Sequence, residues 1–282
     1  MSAIGSSLTM VASAMKLFPS WSSDRFLDTG DMDEGRGKAY ACRYARKRQW
    51  GHLRDLLLRV EYAQLSLEGV VDAIDGQTLL HVVCSHAPPL DVVTTLTDMF
   101  PALIDAADAI RRTPLHVAVE NGASLEVVGF LVKSKPACAM LKDEDGKTPL
   151  MLVCQEIGEL DDKDEARYFD DAFEADRRLL YLCDVAQSLA KAVPLSVLVE
   201  DEYGMTALEH AINSEAPRKM IRYLQHTTCR VVRTMNLESK RRQREIAMQQ
   251  KENLNQEESH AYVVSSGVMG NVKRNSVVSS SA

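Results

Sequence analysis

A short pattern around threonine returns at a fixed interval and constrains the fold of this chain more than any other feature. Thr78, Thr113 and Thr148 lie 35 residues apart, Thr206 follows 58 residues later, and a leucine stands two positions after each. Self-similarity at a period of about 20–50 residues indicates a stacked array of small units. Each unit contacts its neighbours, and the stack presents an extended surface to partners. The period therefore favours a binding protein over an enzyme.

The spacing within a unit predicts two short antiparallel helices joined by a turn. In the second unit Thr113 precedes Pro114, which suits the first turn of a helix: threonine caps free backbone N–H groups, and proline needs no partner there. A turn at Asn121-Gly122 follows, and residues 125–131 place apolar side chains at helical spacing. Two helices of this length cannot enclose a core alone, so we expect neighbouring units to pack together. Leu115, Leu150 and Leu208 of the repeated pattern are expected to be buried in this stack.

These repeats resemble the ankyrin repeat family over roughly residues 40–226. The family's turn-opening aspartate stands five residues before the threonine at Asp108, Asp143 and Asp201, and it is displaced to Asp72 in the first full unit. The resemblance implies an all-α fold, an ankyrin-type helical solenoid with β-turn fingers. Disordered N- and C-terminal tails are expected to flank it, because both ends lack clear periodicity.

The repeat marks also divide the chain into segments. The third unit carries 23 extra residues between its two helices. In the polar helix near the C-terminus, too many residues separate Leu237 from the next apolar side chain for a coiled coil. The predicted boundaries are 1–36 for a disordered leader, 37–72 for a divergent capping repeat, 73–107 and 108–142 for regular repeats, 143–200 for the repeat with the acidic insertion, 201–228 for the last repeat, 229–258 for a polar basic helix and 259–282 for a disordered tail.

The insertion in the third unit is strongly acidic. Residues 156–176 hold ten acidic and two basic residues, for a net charge of −8. Part of the insertion is expected to extend the second helix, which we place from about Asp171 to Val193. The segment is either a solvated loop before a well-capped helix or a docking element for a basic partner. Calcium binding is disfavoured because the spacing of an EF-hand loop is missing.

Arg111 occupies the position where the other full units carry glycine. Glycine at this point of a turn suggests a positive φ, which costs an arginine about 1 kcal/mol. The substitution places two adjacent cations, Arg111 and Arg112, beside the apolar Ile110. The alternative is a turn of a different type.

In the ankyrin family, partners are usually held by the finger tips and the first helices. When this surface is carried onto matching positions, Ile110, Tyr203 and Met205 are the expected anchors, because large side chains dominate binding energy. The full set of predicted partner-binding residues is Asp75, Gln77, Ser85, His86, Ile110, Arg111, Arg112, Glu120, Asn121, Glu144, Lys147, Gln155, Glu156, Glu202, Tyr203 and Met205.

The sequence contains no recognisable catalytic, nucleotide-binding or metal-binding motif, so we expect no enzymatic activity, cofactor or metal. His81 and His116 are predicted to bond backbone between turns instead of holding a metal. The six cysteines form no CxxC pair, which indicates reduced thiols in a cytoplasmic protein or a nuclear one. No apolar run reaches the length of a membrane helix, and residues 1–21 lack the basic start of a signal peptide.

The expected function is that of a protein–protein interaction module: a scaffold, adaptor or inhibitor whose partner carries a basic patch for the acidic insertion. The net charge of −7 disfavours nucleic acid as a partner. The alternative is a nuclear, nucleic-acid-associated regulatory factor that uses its basic terminal helices, around 43–48 and 230–244.

Ser276 is the one predicted modification site. It follows Lys273 and Arg274, an arrangement that basophilic kinases recognise, and a phosphate there would offset the local positive charge.

Overall fold

The computed structural model describes residues 33–72, 74–161 and 169–275. Within these ranges it contains ten α-helices and one two-stranded β-hairpin. The helices are α1 (Glu34–Arg46), α2 (Trp50–Ala63), α3 (Leu79–Cys84), α4 (Leu90–Met99), α5 (Pro114–Glu120), α6 (Leu125–Ser134), α7 (Pro149–Asp161), α8 (Phe169–Ala192), α9 (Ala207–Asn213) and α10 (Arg218–Asn275). The prediction of an all-α ankyrin-type solenoid is confirmed.

The helices stack in pairs, and each regular pair follows a turn. α1 contacts α3, α3 contacts α5, α5 contacts α7 and α7 contacts α9, so the first helices form one layer. The second helices α4, α6 and α8 form the other layer in the same order. Strands β1 (Val70–Asp72) and β2 (Gln77–Thr78) pair antiparallel in the first finger, and a bridge joins Glu200 to Thr206 in the last.

Three of the repeats begin their first helix with the same local chemistry. Thr113 is the N-cap of α5, its backbone N–H donates to Nδ1 of His116 at 3.1 Å, and Pro114 follows at the first helical position. Thr78 and His81 repeat the arrangement at 3.2 Å. Glu209 replaces the histidine in the last repeat and accepts from the backbone N–H of Thr206 at 2.6 Å. The threonine pattern therefore marks helix starts, as predicted.

The leucine of the repeated pattern does not have the same environment in every repeat. Leu115 and Leu150 are 1% and 0% exposed, in agreement with the prediction that they lie in the core. The same prediction is wrong for Leu208, which is only half-buried. Leu208 belongs to the last repeat of the stack, and no further repeat follows to cover it.

The helical structure extends beyond both predicted tail boundaries. α1 begins at Glu34, where the Asp33 carboxylate accepts from the backbone N–H of Arg36 at 2.7 Å. At the other end α10 continues to Asn275, so the predicted last helix, polar helix and part of the predicted tail form one element. Nothing between Pro217 and Gly267 breaks a helix, since that stretch has neither proline nor glycine. Residues 1–32 and 276–282, including Ser276, lie outside the described ranges.

The chain divides into two units, Met1–Ile221 and Arg222–Ala282. The first unit contains the stacked helix pairs and all of the fingers. The described part of the second unit consists of α10 from Arg222 onward.

Candidate interaction surface

The fingers are held by aspartates that accept backbone hydrogen bonds. Oδ1 of Asp108 accepts from the N–H groups of Ile110 at 3.1 Å and Arg112 at 2.8 Å. Asp143 holds its finger in the same way through Asp145 and Lys147, and Asp201 does so through Tyr203 and Met205. Each of the three aspartates is 6–7% exposed. The finger tips are thus fixed by local sequence.

Neighbouring fingers are also joined to one another. The backbone N–H of Ala109 donates to the backbone carbonyl of Asp75 at 2.9 Å, and that of Glu144 donates to the backbone carbonyl of Ile110 at 3.0 Å. A second link runs below the tips, where Nε2 of His81 donates to the carbonyl of Arg112 at 2.9 Å. His116 makes the corresponding bond to Lys147 at 3.3 Å.

These bonds define the chemical state of both histidines. A carbonyl only accepts, so Nε2 carries the proton and Nδ1 is the acceptor for the threonine N–H. Burial lowers the pKa of His116 to about 4 and also lowers the pKa of His81. Both side chains are therefore neutral structural links between fingers at neutral pH, as predicted from their setting.

Large apolar side chains are exposed at three of the finger tips. Tyr203 is 80% exposed and Ile110 is 36% exposed, so two of the predicted anchors lie on the surface. Met205, the third, is half-buried. Ile74, at 90% exposure, was missed. It stands two residues after the turn aspartate Asp72, just as Ile110 follows Asp108 and Tyr203 follows Asp201. This constant spacing from the turn aspartate could have identified it.

The charges on the second finger differ from the expected pair of cations. Arg111 is exposed and has φ 64°, which confirms the predicted positive φ. Arg112 is an internal link, because its guanidinium donates to Asp108 at 3.0 Å and to Glu120 at 3.0 Å. Among the described residues, Arg111 is therefore the cation that this finger leaves without an ion pair. On the third finger Lys147 lies 3.4 Å from Asp145.

The remaining predicted residues fall into two groups. Asp75, Glu144 and Glu202 are exposed on fingers, while Gln77 is half-buried there. A second group lies at the ends of α3 and α5 and at the matching positions inside the longer α7: Ser85, His86, Glu120, Asn121, Gln155 and Glu156. The candidate surface thus has a row of finger tips and a row of helix ends, separated by the length of the first helices.

Most members of the second row already have partners within the chain. Ser85 donates to the carbonyl of Val82 at 2.9 Å, and Asn121 donates to that of Val117 at 2.9 Å. Burial raises the pKa of Glu120, whose carboxylate accepts from Arg112. Asn121 is the exposed member of this row, so we expect the finger row to contribute more to binding.

The acidic insertion lengthens both helices of the third repeat. α7 has 13 residues where α5 has 7, and α8 has 24 where α6 has 10. The extension of the second helix agrees with the prediction, whereas the extension of the first was missed. The segment 162–168 between them lies outside the described residues.

Two side chains of α8 attach this long helix to the repeat before it. Nη2 of Arg178 donates to the carbonyl of Glu120 at 3.1 Å, and its Nε donates to Glu156 at 2.9 Å. The hydroxyl of Tyr181 donates to the carbonyl of Ala123 at 2.6 Å. The Arg178 guanidinium also lies 5.1 Å from the centre of the Tyr181 ring. Both residues were missed, because Glu120 and Ala123 lie 58 residues away in sequence and Glu156 lies 22 away.

Comparison with known proteins identifies the repeats. The family model for ankyrin repeats matches residues 80–163 in three copies. Residues 80–163 therefore consist of ankyrin repeats. Ankyrin repeats are protein–protein interaction modules, so a partner-binding role follows at this general level. No curated protein matches the chain. In the ranges that the structure describes, no helix is long and apolar enough to cross a membrane.

Proposed function

We propose that this protein is a non-enzymatic scaffold, adaptor or inhibitor that binds its partner along the row of finger tips. The observation that carries the proposal is the exposure of Tyr203 and Ile74 on fingers whose backbone is fixed by aspartates. A rigid loop that presents a large side chain loses little entropy on binding, and such residues dominate interface energies. Arg111 adds a cation beside Ile110, which favours an acidic group on the partner at this point.

Quantitative affinity capture with the intact chain tests this surface. The Tyr203→Ala variant should lose the specifically retained partner, while Leu58→Ala should retain it. Leu58 is a fitting control because it is 56% exposed on α2 and is not part of a finger. If both variants retained the partner equally, the finger row would not be its binding surface.

The acidic insertion is a second candidate contact, for a basic region of the partner. Its support is the net charge of −8 over residues 156–176, together with the attachment of α8 by Arg178 and Tyr181. A charged segment on an anchored helix can steer a basic partner toward the finger row. Partner association should therefore slow in the chain with a neutralised insertion, and stopped-flow kinetics at two salt concentrations would measure it.

We place this function in the cytoplasm or the nucleus. The six cysteines are all free thiols in the structure, and four of them are buried. Reduced cysteines are typical of these compartments. Imaging of a fluorescent fusion in the native cell would test the location, and a secreted or luminal signal would contradict it.

A further inference from the structure

Helix α10 carries basic side chains along one face. Steps of three or four residues return to the same side of an α-helix, which turns through about 100° per residue. Nine positions of α10 follow these steps within an arc of about 80°. Six are lysine or arginine, one is histidine and two are apolar: Arg222, His226, Arg230, Arg233, Leu237, Lys240, Arg244, Met248 and Lys251. We call this face the basic stripe.

The basic stripe is open to solvent and contains no acidic residue. All nine side chains are exposed, including the apolar Leu237 at 61% and Met248 at 68%. The nearby acids Glu238, Glu245 and Glu252 lie on one flank, where Glu245 pairs with Arg241 at 2.9 Å. Within the described residues, none of the six stripe cations forms an ion pair.

This arrangement differs from an ordinary solvated helix, in which opposite charges alternate at spacings of three or four residues. The stripe instead keeps one sign over 29 helical steps, or about 44 Å. Residues 222–252 have a net charge of +5, although the chain as a whole has −7. The negative total, which disfavours nucleic acid when the sequence is read as a whole, hides this local concentration.

We propose that the basic stripe binds the phosphate backbone of a nucleic acid without reading its sequence. A duplex carries one negative charge per about 1.7 Å of its axis, so a straight row of cations meets phosphates in any register. Arginine and lysine are the side chains that bind phosphate best. This site belongs to α10 and is separate from the finger row.

Other polyanionic surfaces fit the stripe less well. A helix that lies on a membrane needs a broad apolar face to enter the lipid, and the stripe offers only Leu237 and Met248. An acidic protein would need a matched row of carboxylates of the same length, whereas the phosphates of every nucleic acid are evenly spaced along its backbone.

The test measures binding of the full chain to labelled DNA and RNA duplexes of about 20 base pairs between about 50 and 200 mM salt. We expect the logarithm of the association constant to fall by about 0.9 per phosphate contact for each tenfold rise in salt. Six contacts then give a fall of up to about 3 over this fourfold range of salt. Duplexes of unrelated sequence should bind equally. The two arms show whether DNA, RNA or both are bound, and each of these results supports the proposal.

The chain offers a closely matched pair of variants. Arg244 lies in the stripe, whereas Arg242, two residues away and equally exposed, points about 160° from it around the helix. Arg244→Glu should weaken duplex binding by about tenfold or more at low salt, while Arg242→Glu should change it by less than about threefold. Circular dichroism checks that both variants keep their helix. If Arg244→Glu loses helix, the double variant Arg233→Gln/Lys240→Gln tests the same face.

Three results would overturn the proposal: equal weakening by the two arginine variants, no duplex binding at the lowest salt, or tighter binding to vesicles containing anionic lipid. Tyr203→Ala should leave duplex binding unchanged. The nucleic-acid site and the finger surface can therefore fail independently.

Discussion

At the scale of single residues, the role of a side chain depends on its place within the repeat as much as on its type. Leu115 and Leu208 occupy the same position of the pattern, but only Leu115 has a repeat on each side. Arg111 and Arg112 are adjacent in sequence, but one is exposed and the other is paired with Asp108 and Glu120. Repeat position predicts the backbone well, whereas side-chain burial also requires knowledge of the neighbours.

The leucine comparison gives a stability prediction. Leu115→Ala should lower the free energy of unfolding by roughly 2–5 kcal/mol, because it leaves a cavity in a close-packed core. Leu208→Ala should cost less, since solvent already reaches part of that side chain. Chemical denaturation of both variants measures the difference. A loss below about 1 kcal/mol for Leu115→Ala would contradict its assignment to the core.

Arg111 provides a second test at this scale. Its φ of 64° is unfavourable for a side chain with a Cβ atom, so Arg111→Gly should stabilise the protein by up to about 1 kcal/mol. The same change removes an exposed cation and should weaken binding to a partner with an acidic group. Denaturation and affinity measurements separate the two effects, and a destabilised Arg111→Gly protein would show that the side chain supports the turn.

At the scale of elements, sequence motifs predicted what is determined locally. Thr113 with Pro114, and Asp108 with its turn, act through bonds to backbone a few residues away, so their effect is visible in sequence. The bonds of Arg178 to Glu120 and of Tyr181 to Ala123 bridge 58 residues, and no local motif marks them. The length of α10 was missed for a different reason. The loss of clear periodicity predicted a disordered tail, but a helix need not end where packing ends, and no proline or glycine follows Pro217 before Gly267.

The anchoring of α8 predicts how the acidic insertion contributes to stability. Replacing residues 158–176 by a short glycine-serine linker should leave cooperative melting nearly unchanged, because Arg178 and Tyr181 remain in the chain. Tyr181→Phe should cost about 1 kcal/mol, since it leaves the Ala123 carbonyl without this donor. Tyr203→Phe is the matched control, because its ring is 80% exposed and its loss of a hydroxyl should leave the melting temperature unchanged. Collapse of melting in the linker variant would instead assign a structural role to the insertion.

At the scale of the whole molecule, charge is divided between separate segments. Residues 156–176 have a net charge of −8, residues 222–252 have +5, and the total of −7 describes neither. A total charge predicts average solubility and non-specific attraction, whereas binding depends on the local field. The surfaces proposed for a basic protein region and for phosphate are both invisible in the total.

Global stability should also depend on pH through the histidine links between fingers. Burial lowers the pKa of His116 to about 4 in the folded protein, and an unfolded histidine titrates near 6.5. The unfolded chain therefore binds more protons than the folded protein between these values. The contribution of His116 to the free energy of unfolding is fully present above about pH 6.5 and falls as pH decreases toward 4. The difference between the two pKa values corresponds to about 3 kcal/mol of unfolding free energy for this side chain, and His81 acts in the same direction.

Met151 occupies the equivalent place in the third repeat, which makes His116→Met a natural non-titrating variant. It should unfold more easily at neutral pH, where it lacks the bond to Lys147, but should lose less stability than the wild type as pH falls. Equal slopes of unfolding free energy against pH in the two proteins would show that His116 is not the group that titrates.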